Sequence, residues 1–325
     1  MFWFLYIIIF LISCILLYFS GELVVNNLVK ISRYLGVKEF IIAFFIMAFA
    51  ASIPNFILGI DSALKGIPGL SLGDIFGNNL IALTLAVALG VLFSKKKEIP
   101  IQNETVRGTA KFTVASAILP LILLSDGILS RMDGLVLVCF FFIYLFWVFS
   151  KRNRFSIVHK TPELSLHGHA QEFKEITISL FFVSLGVIFI FLAAQGIIYS
   201  ASFFAISSGL SLVLVGLLVT GFGNALPEIY FSIISARRGD NFMILGNLMG
   251  SIIFPATLVL GTVAIISPIQ LLENSPFLLI NRIFMITATL FFYLFSRTHN
   301  KIVKFEAYAL ILLYILFVLS VFILI

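Results

Sequence analysis

About ten stretches of this chain approach the roughly 20 apolar residues that a helix needs to cross a bilayer, and only short polar breaks separate them. That pattern leaves few folds open. A backbone in hydrocarbon must satisfy its own hydrogen bonds, and a helix does so within one segment. Charged residues make up only 11% of the sequence and hydrophobic ones 61%, against roughly 25% charged in a soluble domain. A soluble fold is therefore excluded and little chain remains for an extramembrane domain. The expected fold class is an all-α polytopic membrane protein, with helices predicted over about 2–32, 38–64, 72–93, 109–125, 130–150, 173–206, 210–236, 242–267, 277–296 and 303–325.

The first and sixth of these exceed one perpendicular crossing, which predicts tilt or bending. The first also lacks the basic n-region and small-residue cleavage site of a signal peptide, so it reads as a retained helix. Cys14 and Cys139 lie within apolar stretches without metal-ligand spacing and are expected as small buried residues.

The polar breaks divide by charge. Lys30, Arg33 and Lys38 lie at the first, Lys95, Lys96, Lys97 and Arg107 at the third, and Lys151, Arg152, Arg154 and Lys160 at the fifth. Arg237 and Arg238 mark the seventh; Arg297, Lys301 and Lys304 mark the ninth. The even breaks are nearly free of cations, apart from Lys65 and Arg131. By the positive-inside rule the odd breaks face the cytoplasm and both termini the other side. The net charge of +6 thus sets orientation, with no nucleic-acid partner expected. The longest loop, 151–172, carries His159, His167 and His169 and reads as a solvated cytoplasmic segment.

An internal repeat organises the rest. A gapless shift of 173 positions superposes Gly36 on Gly209, Phe49 on Phe222, Pro54 on Pro227, Gly66 on Gly239, Gly73 on Gly246, Gly77 on Gly250 and Thr84 on Thr257. The copies begin five helices apart, an odd number, so the second enters the membrane from the opposite face. The expected organisation is a first five-helix repeat over 1–150, the loop 151–172, and a second five-helix repeat over 173–325. Secondary transporters of this inverted design hold substrate near the midplane, where the halves meet.

The repeat centres are Ala48-Phe-Ala-Ala-Ser-Ile-Pro-Asn55 and Gly221-Phe-Gly-Asn-Ala-Leu-Pro-Glu228. Proline in a spanning helix frees a carbonyl one turn earlier, and a hard cation such as calcium or sodium takes several such oxygens together with carboxylates or amides. Glu228 stands deep in an apolar run, where an ionised carboxylate is costly unless partnered. The following helices carry Gly73-Asp74-Ile-Phe-Gly77-Asn78-Asn79 and Gly246-Asn247-Leu-Met-Gly250-Ser251. Asp74 and Asn78 share one face, as do Asn247 and Ser251, and the glycines permit close helix approach.

These elements resemble the alpha repeats of the sodium/calcium exchanger family, in the calcium:cation antiporter superfamily, whose usual form is G-T-S-L-P-E on one helix and G-N-x-x-G-S-N on the next. The run Gly21 to Val37 resembles the family's approach to the first repeat. The resemblance implies a secondary cation antiporter working by alternating access, with sodium and calcium as transported ions. It implies no enzyme activity and no soluble cofactor, and its partners are inorganic cations and the bilayer, here the cell membrane. Carried over residue by residue, it implies Glu228, Asn55, Ser52, Asn224, Asn78, Asn247 and Ser251 as ligands, with backbone oxygens of Ala48 and Gly221.

The departures are chemical. Asn55 stands where the family has a second glutamate, Asn78 replaces the serine of the second element, and Ala82 and Pro255 stand where the family places Asn or Asp. One carboxylate under-neutralises a divalent ion. Either Asp74 restores the second charge and keeps calcium transport, or Glu228 serves a monovalent cation/proton exchange. A family member degenerate in transport is the remaining reading. An intramembrane enzyme is disfavoured, because no Ser, His and Asp set or zinc-type cluster lies within the spans.

Overall fold

The computed structural model describes residues 2–34, 52–53, 55–101, 104–150, 169–239, 241–271, 276–297 and 301–324. Helix α1 (Phe2–Tyr34) is followed by α2 (Asn55–Leu64), then by α3 (Pro68–Ile81), which runs through a π-turn at Ala82–Ala86 into α4 (Val87–Phe93). Helices α5 (Glu104–Leu123), α6 (Arg131–Phe149) and α7 (His169–Ser208) follow. The chain continues as α8 (Leu212–Val215), a π-turn at Gly216–Thr220 and α9 (Gly221–Arg238), then α10 (Asn241–Phe254), a π-turn at Pro255–Val259 and α11 (Leu260–Ile266). Helices α12 (Pro276–Arg297) and α13 (Lys304–Leu324) complete it.

Among the described residues, eight helices are long and apolar enough to span a membrane, or nine if the halves Leu212–Leu226 and Glu228–Arg237, bent by 41° about Pro227 within α9, count as one span. The predicted span 38–64 lies mostly outside the described residues. So do Ala48, Pro54, His159, His167 and the loop through residue 168.

The second copy reproduces the first at the same offset of 173. Pro68–Ile81 returns as Asn241–Phe254, the π-turn Ala82–Ala86 as Pro255–Val259, and Val87–Phe93 as Leu260–Ile266. Two short strand pairs show the inversion directly. Strand β1 (Glu98–Pro100), just before α5, pairs antiparallel with β4 (Lys301–Val303), just after α12. Strand β2 (Ile128–Leu129), just after α5, pairs with β3 (Ile269–Gln270), which precedes α12. Helices α5 and α12 therefore run in opposite directions between the same two straps. Lys301 Nζ bonds Glu98 Oε2 at 2.8 Å across the first strap, and this bond holds the Glu98 carboxyl below its ordinary value.

Burial separates inner from outer helices. The most apolar windows of α3–α4 and α10–α11 are 83% and 78% buried, whereas that of α1 is 17% buried. The two long helices α1 and α7 are each unbroken and pack along one another at the periphery. Cys14 is half-buried, but Cys139 is exposed on α6, contrary to its expected burial. A small thiol is apolar enough to face lipid.

Three helix starts come earlier than hydropathy predicts. Pro68 and Gly69 look like breakers, yet proline suits the first turn, where no N–H is required. Helix α5 begins at Glu104 and α7 at His169, because their polar first turns are helical without being apolar.

Helices α6 and α11 meet at a reciprocal glycine contact. A Cβ on Gly261 would lie 2.7 Å from the Gly134 carbonyl oxygen, and one on Gly134 would lie 2.6 Å from that of Gly261. Gly261→Ala must push the helices apart, at an expected cost of about 1–3 kcal/mol, read as a lower melting temperature of the purified protein. An unchanged melting temperature would contradict this packing.

Candidate ion-binding site

Glycine brings α3 against α8 and α9 backbone to backbone. A Cβ on Gly73 would stand 2.0 Å from the Val213 carbonyl oxygen, and one on Gly77 would stand 2.2 Å from that of Leu217. From the other side, a Cβ on Gly216 would lie 2.4 Å from the Leu70 carbonyl oxygen, and one on Gly221 would lie 3.0 Å from the Asn78 nitrogen. No side chain fits between these helices at such positions. Polar residues one position along are thereby drawn across the contact.

Asp74, buried on α3, accepts a hydrogen bond from Asn224 Nδ2 of α9 at 2.8 Å. Thr220, also buried, donates its hydroxyl to the Gly216 carbonyl at 3.0 Å. Glu228, also buried, follows Asn224 by four residues, one turn along the same face. The opposite face of α9 exposes Phe222, Leu226 and Tyr230. Helix α9 thus has a polar stripe turned inward and an apolar one turned to lipid.

Several polar atoms in this region lack partners. Among the described residues, Glu228 Oε2 and both side-chain polar atoms of Asn78 and of Asn79 are buried without a hydrogen bond. Leaving such a group unpaired costs about 1–3 kcal/mol, more when it is charged. A cation ligated by these oxygens would offset that cost.

Of the other expected ligands, Ser52 and Asn55 are buried at the start of the α2 region, Asn247 and Ser251 are buried on α10, and Ser251 Oγ donates to the Leu248 carbonyl at 3.1 Å. Gly221 sits at the α3 contact. Ala48 lies outside the described residues. Asp61 is engaged elsewhere: it pairs with Lys65 at 3.0 Å and accepts from Gln195 Nε2 of α7 at 2.7 Å. Among the described residues no cluster of three or more His, Cys, Asp and Glu forms; of the expected ligands, Asp74 and Glu228 carry carboxylates. Asn79 was not among the expected ligands, although it matches the motif's asparagine, which was the available signal.

The three π-turns share a device. Thr84, Thr220 and Thr257 each donate to the carbonyl four residues back, a bond that competes with the backbone ladder and favours local widening. Ala82 and Pro255, which stand where the resemblance places Asn or Asp, are the first residues of two of these turns.

A sequence model of the sodium/calcium exchanger protein family matches residues 5–150 and 178–323, one segment per repeat. The chain belongs to the sodium/calcium exchanger family. It is 25% identical over 313 residues to an uncharacterized membrane protein of Methanocaldococcus jannaschii, covering 96% of both chains. It is 23% identical to the sodium/calcium exchanger MaX1 of Methanosarcina acetivorans, covering 97% of this chain and 98% of that one. A solved structure of the sodium-calcium exchanger NCX_Mj superposes with a TM-score of 0.66 at 24% identity, covering 98% of this chain and 99% of the other. This exchanger-family chain is a multi-pass integral membrane protein with the architecture of a cation antiporter.

If Asp74 and Asn224 are directly coupled, Asn224→Ala and Asp74→Asn are non-additive, with an interaction of about 0.5–3 kcal/mol in a double-mutant cycle of unfolding stability. Strict additivity would show that the bond is not formed.

Proposed function

We propose that this protein exchanges sodium for calcium across the cell membrane by alternating access, with Asp74 and Glu228 as the two carboxylates that balance one divalent ion. The observation carrying this reading is the Asp74–Asn224 hydrogen bond, which sets Asp74 against the helix that bears Glu228. It answers the charge deficit left by Asn55. Two carboxylates neutralise one Ca2+, whereas a single one leaves it half-balanced in a low-dielectric site.

Asn78, Asn79, Asn224, Asn247, Asn55, Ser52 and Ser251 supply neutral oxygens in this reading, with backbone oxygens of Gly221 and Ala48. The chemistry suits calcium, which accepts six to eight oxygens in flexible geometry. Sodium competes for the same oxygens, and that competition couples the two fluxes. The relative MaX1 is named a sodium/calcium exchanger, and NCX_Mj was soaked with Na+ and Sr2+, which is in keeping with a site for alkaline-earth ions. No soluble cofactor enters the mechanism.

Proteoliposomes with sodium inside should take up external calcium. Glu228→Gln and Asp74→Asn should each reduce that uptake by two orders of magnitude or more, the equivalent of about 3–5 kcal/mol for stranding a buried charge. Calcium uptake absent from the native protein, or untouched by both changes, would overturn the reading. Sodium/proton exchange without calcium flux would replace it with the monovalent mechanism.

The same proposal places both termini outside and the 151–172 loop, between the two five-helix repeats, in the cytoplasm, since the basic breaks lie on that side. In a Cys14→Ser, Cys139→Ser background, Ser165→Cys should resist an impermeant maleimide in intact cells and react after lysis. Labelling of intact cells would reverse the orientation.

A further inference from the structure

The β1–β4 strap overlies a second feature, separate from the buried site. There the first turns of α5 and the last turn of α12 border a cleft of about 520 Å3. Arg107 and Lys111 of α5 and Arg297 of α12 line it, with Tyr293 and Ser296. Two of the cations are held in place. Arg107 Nε donates to the Ile101 carbonyl at 3.2 Å, and the Arg297 guanidinium lies 5.1 Å from the centre of the Tyr293 ring. The ion pairs among the described residues join Lys65 to Asp61 and Lys301 to Glu98. None of the three cleft cations is neutralised by those pairs.

The inverted repeat supplies its own comparison. At the opposite ends of the same two helices, the shift of 173 puts Ile280 and Phe284 where Arg107 and Lys111 stand, and Pro120 and Leu124 where Tyr293 and Arg297 stand. Arg282, near that end, is bonded to the Leu124 carbonyl. A basic cleft is therefore not a by-product of crossing α5 with α12; the sequence puts one at a single end.

A stripe of exposed apolar residues on α12, Leu279, Ile283, Ile286, Leu290 and Leu294, keeps the three- and four-residue spacing of one helix face and ends one turn before Arg297. We propose that the cleft binds the phosphate headgroup of an anionic phospholipid, whose acyl chains lie along this α12 stripe. Two arginine forks and an ammonium match a phosphate's oxygens, and basic pockets between spanning helices take acidic headgroups in this way. A soluble phosphate shares the headgroup chemistry but gains nothing from the stripe. The inference is independent of which ions the protein transports.

The test is native mass spectrometry of the purified full chain titrated with phosphatidylglycerol or phosphatidylcholine. One phosphatidylglycerol should be retained preferentially. Joint replacement of Arg107, Lys111 and Arg297 by Gln should weaken it on the order of fivefold per cation removed. Lys95, Lys96 and Lys97 are exposed on the same face outside the cleft, and their joint replacement by Gln should leave retention unchanged. Should the first triple variant fail to fold, Arg297→Gln with Arg297→Lys as its rescue reads the same site. Equal losses from both sets, or no preference between the two lipids, would overturn the proposal. Displacement of phosphatidylglycerol by millimolar inorganic phosphate would assign the cleft to a soluble anion instead.

Discussion

Helix α3 can lie against α8 and α9 only because Gly73, Gly77, Gly216 and Gly221 remove every side chain from the line of contact. In lipid no hydrophobic force drives apolar helices together, so close packing and polar contacts carry the association. Here one device provides both. Backbones that nearly touch bring Asp74 within a hydrogen bond of Asn224, on the helix that bears Glu228. The buried polar site is a consequence of that approach. Were the helices separated by an ordinary side-chain layer, the same polar residues would face apolar neighbours and their desolvation would go uncompensated.

Around this contact the repeat distributes its work unequally. The inner frame recurs residue for residue: α3, its π-turn and α4 return as α10, its π-turn and α11 at one offset. The chemistry on the frame is not symmetric. Asn55 occupies the position equivalent to Glu228, while Asp74 is matched by Asn247. One carboxylate thus comes from each copy, but from different motif positions. In the function proposed above, the charge complement of a two-carboxylate site is kept although the symmetry of its sources is not. The basic cleft at the β1–β4 end of α5 and α12 repeats the lesson, since the positions equivalent to Arg107, Lys111 and Arg297 are Ile280, Phe284 and Leu124.

Much of this was legible in residue order because the relevant signals are local or periodic. The span pattern specifies helices, since hydrocarbon admits little else, and the aligned glycines and prolines reveal the repeat and, by the odd helix count, its inversion. Helix ends were less legible. Hydropathy does not register a polar first turn such as that of α5 or α7, and it reads the N-terminal Pro68 of α3 as a break. The exposure of Cys139 was missed for a related reason: an apolar stretch in lipid does not reveal which of its faces meets protein.

The sequence by itself determined the fold class, the two repeats and their unequal ligands, because each depends on residue type and spacing along one chain. Only the tertiary structure decided which partners those residues meet. That Asp74 turns to Asn224, 150 positions away, that Asp61 is taken up by Lys65 and Gln195, and that Arg107 and Arg297 share one cleft all follow from helix rotation and crossing. Those are set by backbone contact across the repeats, and spacing along a single helix carries no record of it.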